Sequence, residues 1–251
     1  MVHFVGAGCG AKDLITVRGA RLLKEADCVL YAGSLVNPAL LDGCKPGCRI
    51  FNTAKMTLEE VVSEMARAEA QGLSCVRLHT GDPSLYGAVR EQMDALERLK
   101  IPYDVTPGVS SFCGAAAALH AEYTLPGVSQ TVILTRVPGR TAVPEGESLS
   151  SLAAHGCSMV LFLSAGLAED AQRELLNGGL SPETPAAVVC RATFPDEQIV
   201  RCTVGTLAEA VADAGIRRTA LLLIGEFLNG GGERSKLYDP SFSTGFREGT
   251  P

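Results

Sequence analysis

Three short apolar stretches each run into a glycine, and each is followed by a stretch with helical signals. They are VHFVGAG at residues 2–8, CVRLHTGDP at 75–83 and YDVTPGV at 103–109. Strands that alternate with helices in this way specify a parallel sheet with helices on its faces. Thr16 caps a helix running through Glu25, and Cys28 to Tyr31 reads as a further strand. Thr57-Leu58-Glu59-Glu60 is a capping box, and the helix it opens stops at Gly72. Further helices are expected from about Gly87 to Leu99, and from the TPGVSS stretch to about Leu119. A second alternating region follows the strand Thr131 to Leu134 and a Pro- and Gly-rich segment at 136–147. Its strands are Met159 to Leu163, Ala186 to Cys190, Gln198 to Val204 and Ala220 to Ile224, with helices over Leu167 to Leu176 and Leu207 to Ala214. VVCRATFPDEQIVRCTV reads as a hairpin, so this half carries antiparallel strands as well. The expected organisation is an N-terminal α/β domain over 1–122, a C-terminal α/β domain over 123–230 and a polar tail over 231–251.

Composition excludes several function classes. The formal charge of the 251 residues is −6 and no basic run stands out, which argues against nucleic acid as a partner. The longest apolar run near the C-terminus, Ala220 to Ile224, is far short of a membrane helix. No basic segment precedes an apolar stretch at the N-terminus, and the nine cysteines are odd in number and scattered. A reducing cytoplasm is therefore the expected location. Cys44 and Cys48 form the only close pair and lack partners for zinc, so no metal is expected.

The opening VHFVGAGCGA satisfies G-x-G-x-x-G/A, the dinucleotide fingerprint, but its confirming context is missing. A dinucleotide fold needs a helix starting within the glycine loop and an acid at the end of the second strand. Here the helix cap is Thr16, and the second strand ends Tyr31-Ala32-Gly33. Ligands of open α/β sheets bind outside the carboxyl ends of the strands. Two loops stand out there: HTGDPSLYG (79–87) and TPGVSS (106–111), the latter opening a small-residue helix whose first amides are free donors.

Taken in order, VGAGCGAKDLIT, TGDPSLYG, TPGVSS, MVLFLSAG, VVCRATFPDEQIV, GTL and ALLLIGEF resemble the tetrapyrrole methylase family, the class III S-adenosylmethionine-dependent methyltransferases. The resemblance covers nearly the whole chain. Within the family, LYAGSLVNPALL, LTRVPGRTAVPEGESL and RSKLYDPSF are similar to the branch that methylates precorrin-4 or cobalt-precorrin-4 at carbon 11. The resemblance implies two α/β domains with a cleft between them, S-adenosylmethionine as cofactor, a tetrapyrrole substrate and a homodimer. It places the cofactor at Thr80, Gly81, Asp82 and Leu85, at Ser110 and Ser111, and at Leu163, Ala192 and Ala220. For the substrate carboxylates, Arg136 and Arg140 are the candidates, with Lys55 after FNTA a third. No catalytic acid, base or nucleophile is assigned; His79 and His120 read as supporting residues. The loop departs from the family at Cys9, usually Pro, and at Ala11-Lys12, usually an acid-proline pair. A sister methylase and a nucleotide-binding module are the alternatives.

Overall fold

The computed structural model describes residues 1–139 and 141–250. The chain forms two compact units, Met1–Ala115 with Arg191–Glu197, and Ala116–Cys190 with Gln198–Pro251. A return of the chain to the first unit is something no contiguous division of the sequence expresses.

The first unit holds a five-stranded sheet. Its strands are β1 (Val2–Gly6), β2 (Cys28–Tyr31), β3 (Arg49–Asn52), β4 (Cys75–His79) and β5 (Tyr103–Thr106), in the order β3-β2-β4-β1-β5. Every pairing is parallel. Its helices are α1 (Val17–Glu25), α2 (Leu58–Ala70), α3 (Arg90–Arg98) and the first half of α4 (Ser111–Leu119), which passes into the second unit after Ala115. Successive strand residues point to opposite faces, and both faces are covered. Val2, Phe4, Cys28, Leu30 and Cys75 pack with Val61 and Met65 of α2 and Met93 and Leu96 of α3. Val5, Val29, Val76 and Leu78 pack with Leu22 and Leu23 of α1. Burial on both faces is why these strands read as continuous apolar runs rather than as alternations.

Local signals place the helix ends. The Thr16 side chain accepts from Gly19 N, and both halves of the Thr57–Glu60 capping box form. Helix α4 ends in a Schellman turn, with His120 N on Ala117 O, Ala121 N on Ala116 O, and His120 at φ +53. The helix expected from Gly87 starts at Arg90 instead. Tyr86 and Ala88, at φ +54 and +48, hold the preceding turn in the left-handed region.

The second unit holds β6 (Val132–Thr135), β7 (Ser158–Leu161), β8 (Pro185–Cys190), β9 (Gln198–Thr203) and β10 (Ala220–Ile224), in the order β6-β7-β10-β8-β9. Only β6 and β7 pair in parallel; the expected hairpin is the antiparallel β8–β9. Helices α5 (Leu149–Ala153), α6 (Ala168–Asn177) and α7 (Leu207–Asp213) bury Leu149, Leu175 and Leu207 against Met159, Leu161, Val188 and Leu222. Strand β7 stops two residues short of the expected Leu163, which lies at φ +54.

Candidate functional site

Strands β4, β1 and β5 lie side by side, so the loops leaving their carboxyl ends converge. They meet through glycines at contact distances that admit no side chain. A Cβ on Gly6 would sit 2.5 Å from Gly108 Cα and 2.7 Å from Gly81 O. One on Gly108 would sit 2.2 Å from Gly81 O. Gly8 and Gly81 exchange backbone hydrogen bonds, Gly81 N to Gly8 O at 2.9 Å and Gly8 N to Gly81 O at 3.3 Å. The glycines of the opening motif thus fit three backbones together.

Asp82 braces this junction. Its Oδ2 accepts from Gly108 N at 2.8 Å, and its Oδ1 accepts from Ser84 N at 2.8 Å and Ser84 Oγ at 2.5 Å. Burial pushes its carboxyl up, but the Ser84 hydroxyl, Gly108 N and Ser84 N together outweigh that, and its pKa lies below the usual value. The position where a Gly81 Cβ would stand is 3.5 Å from Ser110 Cα and from Ser111 N, at the first turn of α4. Gly81, Asp82, Ser110 and Ser111 are therefore brought together. Ser110 is buried, Thr80 is exposed, and Leu85 closes a turn on Asp82 O at 3.3 Å.

Beneath this loop lies a polar relay that the sequence hides inside an apolar strand. Arg77 is buried without a carboxylate partner among the described residues. Its Nε donates to Gln92 Oε1 at 3.0 Å and its Nη1 to Leu30 O at 3.2 Å. Gln92 Nε2 in turn donates to Ala88 O at 3.0 Å, anchoring the far end of the 80–90 loop. Burial lowers the Arg77 pKa to about 10. His79 stacks on Phe4, and its buried Nε2 has no hydrogen-bond partner among the described residues. Burial, then the charge of Arg77, lower its pKa to about 3. It is thus a neutral support for the loop. An arginine within the strand CVRLH is the sequence signal that could have flagged this relay.

Ala192 belongs to the segment 191–197, where its carbonyl lies against Gly10: a Cβ on Gly10 would be 2.4 Å from that oxygen. In the second unit the register pairs Leu222 with Leu161 and Ala220 with Cys190. Leu163 and Ala220 therefore lie at one end of that sheet. Leu163 is 69% exposed in a left-handed conformation, a conformation a leucine adopts only at a cost. Among the basic candidates, Arg136 donates to Thr141 O and Ala142 O, each at 2.9 Å, and so holds its own loop. Lys55 ends a 3-10 turn after β3 and is exposed, while Arg140 lies outside the described residues. Among the described residues no group of three His, Cys, Asp or Glu could hold a metal, and all nine cysteines are free thiols.

A glycine junction at the ends of parallel strands, with an acid brace and a small-residue helix beginning beside it, lies where open α/β sheets bind their ligands. The chain belongs to the Tetrapyrrole (Corrin/Porphyrin) Methylases, whose family model matches residues 1–208. It is 49% identical to the cobalt-precorrin-4 C(11)-methyltransferase of Priestia megaterium, over 99% of this chain and 98% of that protein. It is also similar to a solved cobalamin biosynthetic enzyme, a cobalt precorrin-4 methyltransferase, with a TM-score of 0.88 and 49% identity over 90% of this chain and 95% of that one. A uroporphyrin-III C-methyltransferase from Thermus thermophilus, solved with S-adenosylhomocysteine, gives a TM-score of 0.77 and 30% identity over 91% of this chain and 98% of that one.

Proposed function

We propose that this protein transfers a methyl group from S-adenosylmethionine to carbon 11 of cobalt-precorrin-4. The observation that carries the reading is the full-length match to a methyltransferase of that name at 49% identity. The fold similarity and the three converging loops support it.

S-adenosylmethionine, when bound, supplies a methyl already activated on a sulfonium, so the chain's contribution is position and exclusion of water. The residues present fit such a group. Gly81 holds the left-handed φ of +58 that turns the loop towards α4, and the N-terminal end of α4 at Ser111 carries the positive end of the helix dipole towards a carboxylate. Thr80, Asp82, Leu85 and Ser110 complete this side. Leu163, Ala192 and Ala220 present backbone and small or apolar surface, suited to an uncharged ring. Asp82 acts by fixing the loop, because three donors already occupy its carboxylate. No acid or base is assigned. The substrate's carboxylates are assigned to Lys55, Arg140 and Arg136, the last through the loop it holds. The functional division is 1–122, 123–230 and a tail, and the protein is read as a cytoplasmic homodimer. Its free thiols and the family resemblance support that reading, and light scattering of the purified protein tests the dimer.

The test is incubation with S-adenosylmethionine and either cobalt-precorrin-4 or precorrin-4, followed by mass spectrometry. Gain of one methyl on the cobalt form is the expected result. Gain on the metal-free form alone would correct the substrate, and gain on neither, with cofactor binding intact, would refute the substrate class.

A further inference from the structure

We propose that Thr193 is a positioning residue for the cofactor: its hydroxyl ties the 191–197 loop to the glycine loop after β1 and thereby fixes Ala192. The proposal rests on the reading of Ala192 as a cofactor contact. The Thr193 Oγ1 accepts from Ala11 N at 3.0 Å and donates to Cys9 Sγ at 3.5 Å. One hydroxyl is thus used as acceptor and donor at once, which leaves it a single orientation.

The loop it holds is strained. Arg191 and Thr193 have φ of +51 and +64, and for a β-branched residue such as Thr193 that is a true outlier. Strain of this kind persists only where the surroundings over-determine it. Here they do. Thr193 N donates to Glu197 Oε2 at 2.6 Å, and Arg191 Nε donates to Asp196 Oδ1 at 2.7 Å. The Arg191 guanidinium lies 4.2 Å from the Phe194 ring centre.

The glycine loop is held from its other sides too. Asn37 Nδ2 donates to Gly10 O at 2.9 Å. A Cβ on Gly114 of α4 would lie 2.8 Å from Cys9 Sγ and 3.3 Å from Thr193 Cγ2. Loop 7–11, α4 and the 191–197 loop thus meet around the Thr193 side chain, and the neighbouring Ala192 is buried with its carbonyl against Gly10. Nothing in the folding of the β8–β9 hairpin requires this; a relaxed turn would close the two strands as well. The strain has its use in where it puts residue 192.

Two variants separate positioning from a merely structural role. Thr193→Val keeps the shape and removes the hydroxyl, while Thr193→Ser keeps the hydroxyl. Thr193→Val is expected to weaken S-adenosylhomocysteine binding about tenfold and to raise the KM for S-adenosylmethionine by the same factor, with kcat within about twofold. The KM for the tetrapyrrole stays unchanged, and Thr193→Ser returns the cofactor constants to within about threefold. Wild-type cofactor affinity in Thr193→Val, or a loss shared equally by Thr193→Ser, would overturn the proposal. Should Thr193→Val not fold, amide exchange on the wild-type protein decides. S-adenosylhomocysteine is expected to slow exchange in peptides 7–14 and 191–197 together, and slowing in only one of them would overturn the proposal. No binding of S-adenosylhomocysteine by the wild-type protein would instead overturn the cofactor reading, and this proposal with it.

Discussion

Replacing Gly108 by Ala tests whether the glycine junction sets the geometry of the site. The added Cβ would stand 2.2 Å from Gly81 O and 2.7 Å from Gly6 Cα, all backbone positions that no rotamer change can relieve. A carbon–oxygen contact relaxes at about 3.3 Å, so Gly81 and its loop must retreat by about 1 Å. Overpacking of this kind costs about 1–3 kcal/mol, which in a chain of this length lowers Tm by roughly 3–10 °C. The larger effect falls on the reaction, because a displacement of about 1 Å at a reacting centre costs on the order of 100-fold in rate. The assay pairs calorimetric melting with single-turnover methyl transfer at saturating S-adenosylmethionine. The expected signature is a folded protein with a modest drop in Tm and a loss in kcat of about 100-fold. A variant that melts and turns over like wild type would refute the claim that these three backbones fix the site.

Other outcomes follow from the same geometry. Because His79 is held neutral with a folded pKa of about 3, only the unfolded chain takes up its proton below about pH 6.5. Its contribution is complete well above that pH and is lost as pH falls towards the folded value, about 2 kcal/mol of it between pH 6.5 and 4.5. His79→Phe should flatten the stability–pH curve in that window, and parallel curves for the two proteins would argue against it. Asp82→Asn puts an amide donor among groups that already donate, and should cost about 2 kcal/mol by urea denaturation. The lowered pKa of Asp82 makes its own contribution full above the ordinary carboxylate range and lost as pH falls below it, so the wild-type and Asn proteins should converge in strong acid. Leu163→Gly relieves a left-handed leucine and should raise stability by up to about 1 kcal/mol while weakening cofactor binding. A stability loss instead would show that the side chain packs.

Much of the scaffold was legible in the sequence because the signals that set it are local. The strand Cys28–Tyr31, the Thr16 cap and the Thr57–Glu60 capping box need only neighbouring residues to form. Helix α3 starts later than its sequence pattern because Tyr86 and Ala88 are held left-handed by contacts that pattern alone does not reveal, among them the reach of Gln92 back to Ala88 O. Strand β7 ends before its apolar run does for the same reason: Leu163 is apolar like its predecessors, but its backbone has already turned. At the candidate site the sequence offered residue types at strand ends, and the folded chain supplied their uses. Asp82 is a brace and Arg136 holds its own loop. The role of Thr193 is not legible in the sequence because its partners, Cys9 and Ala11, are more than 180 residues away.

That distance has a consequence for synthesis. The first unit needs residues 191–197, yet the 75 residues from 116 to 190 emerge in between. At about 5–20 residues per second a ribosome takes roughly 4–15 s to make them. Through that interval all five strands of the first sheet have been synthesised while the partner of Ala11 N and of the flank of Gly10 has not. The last piece of the first unit therefore arrives as the tip of a hairpin belonging to the second, and completion of the N-terminal half is timed by the translation of the C-terminal half.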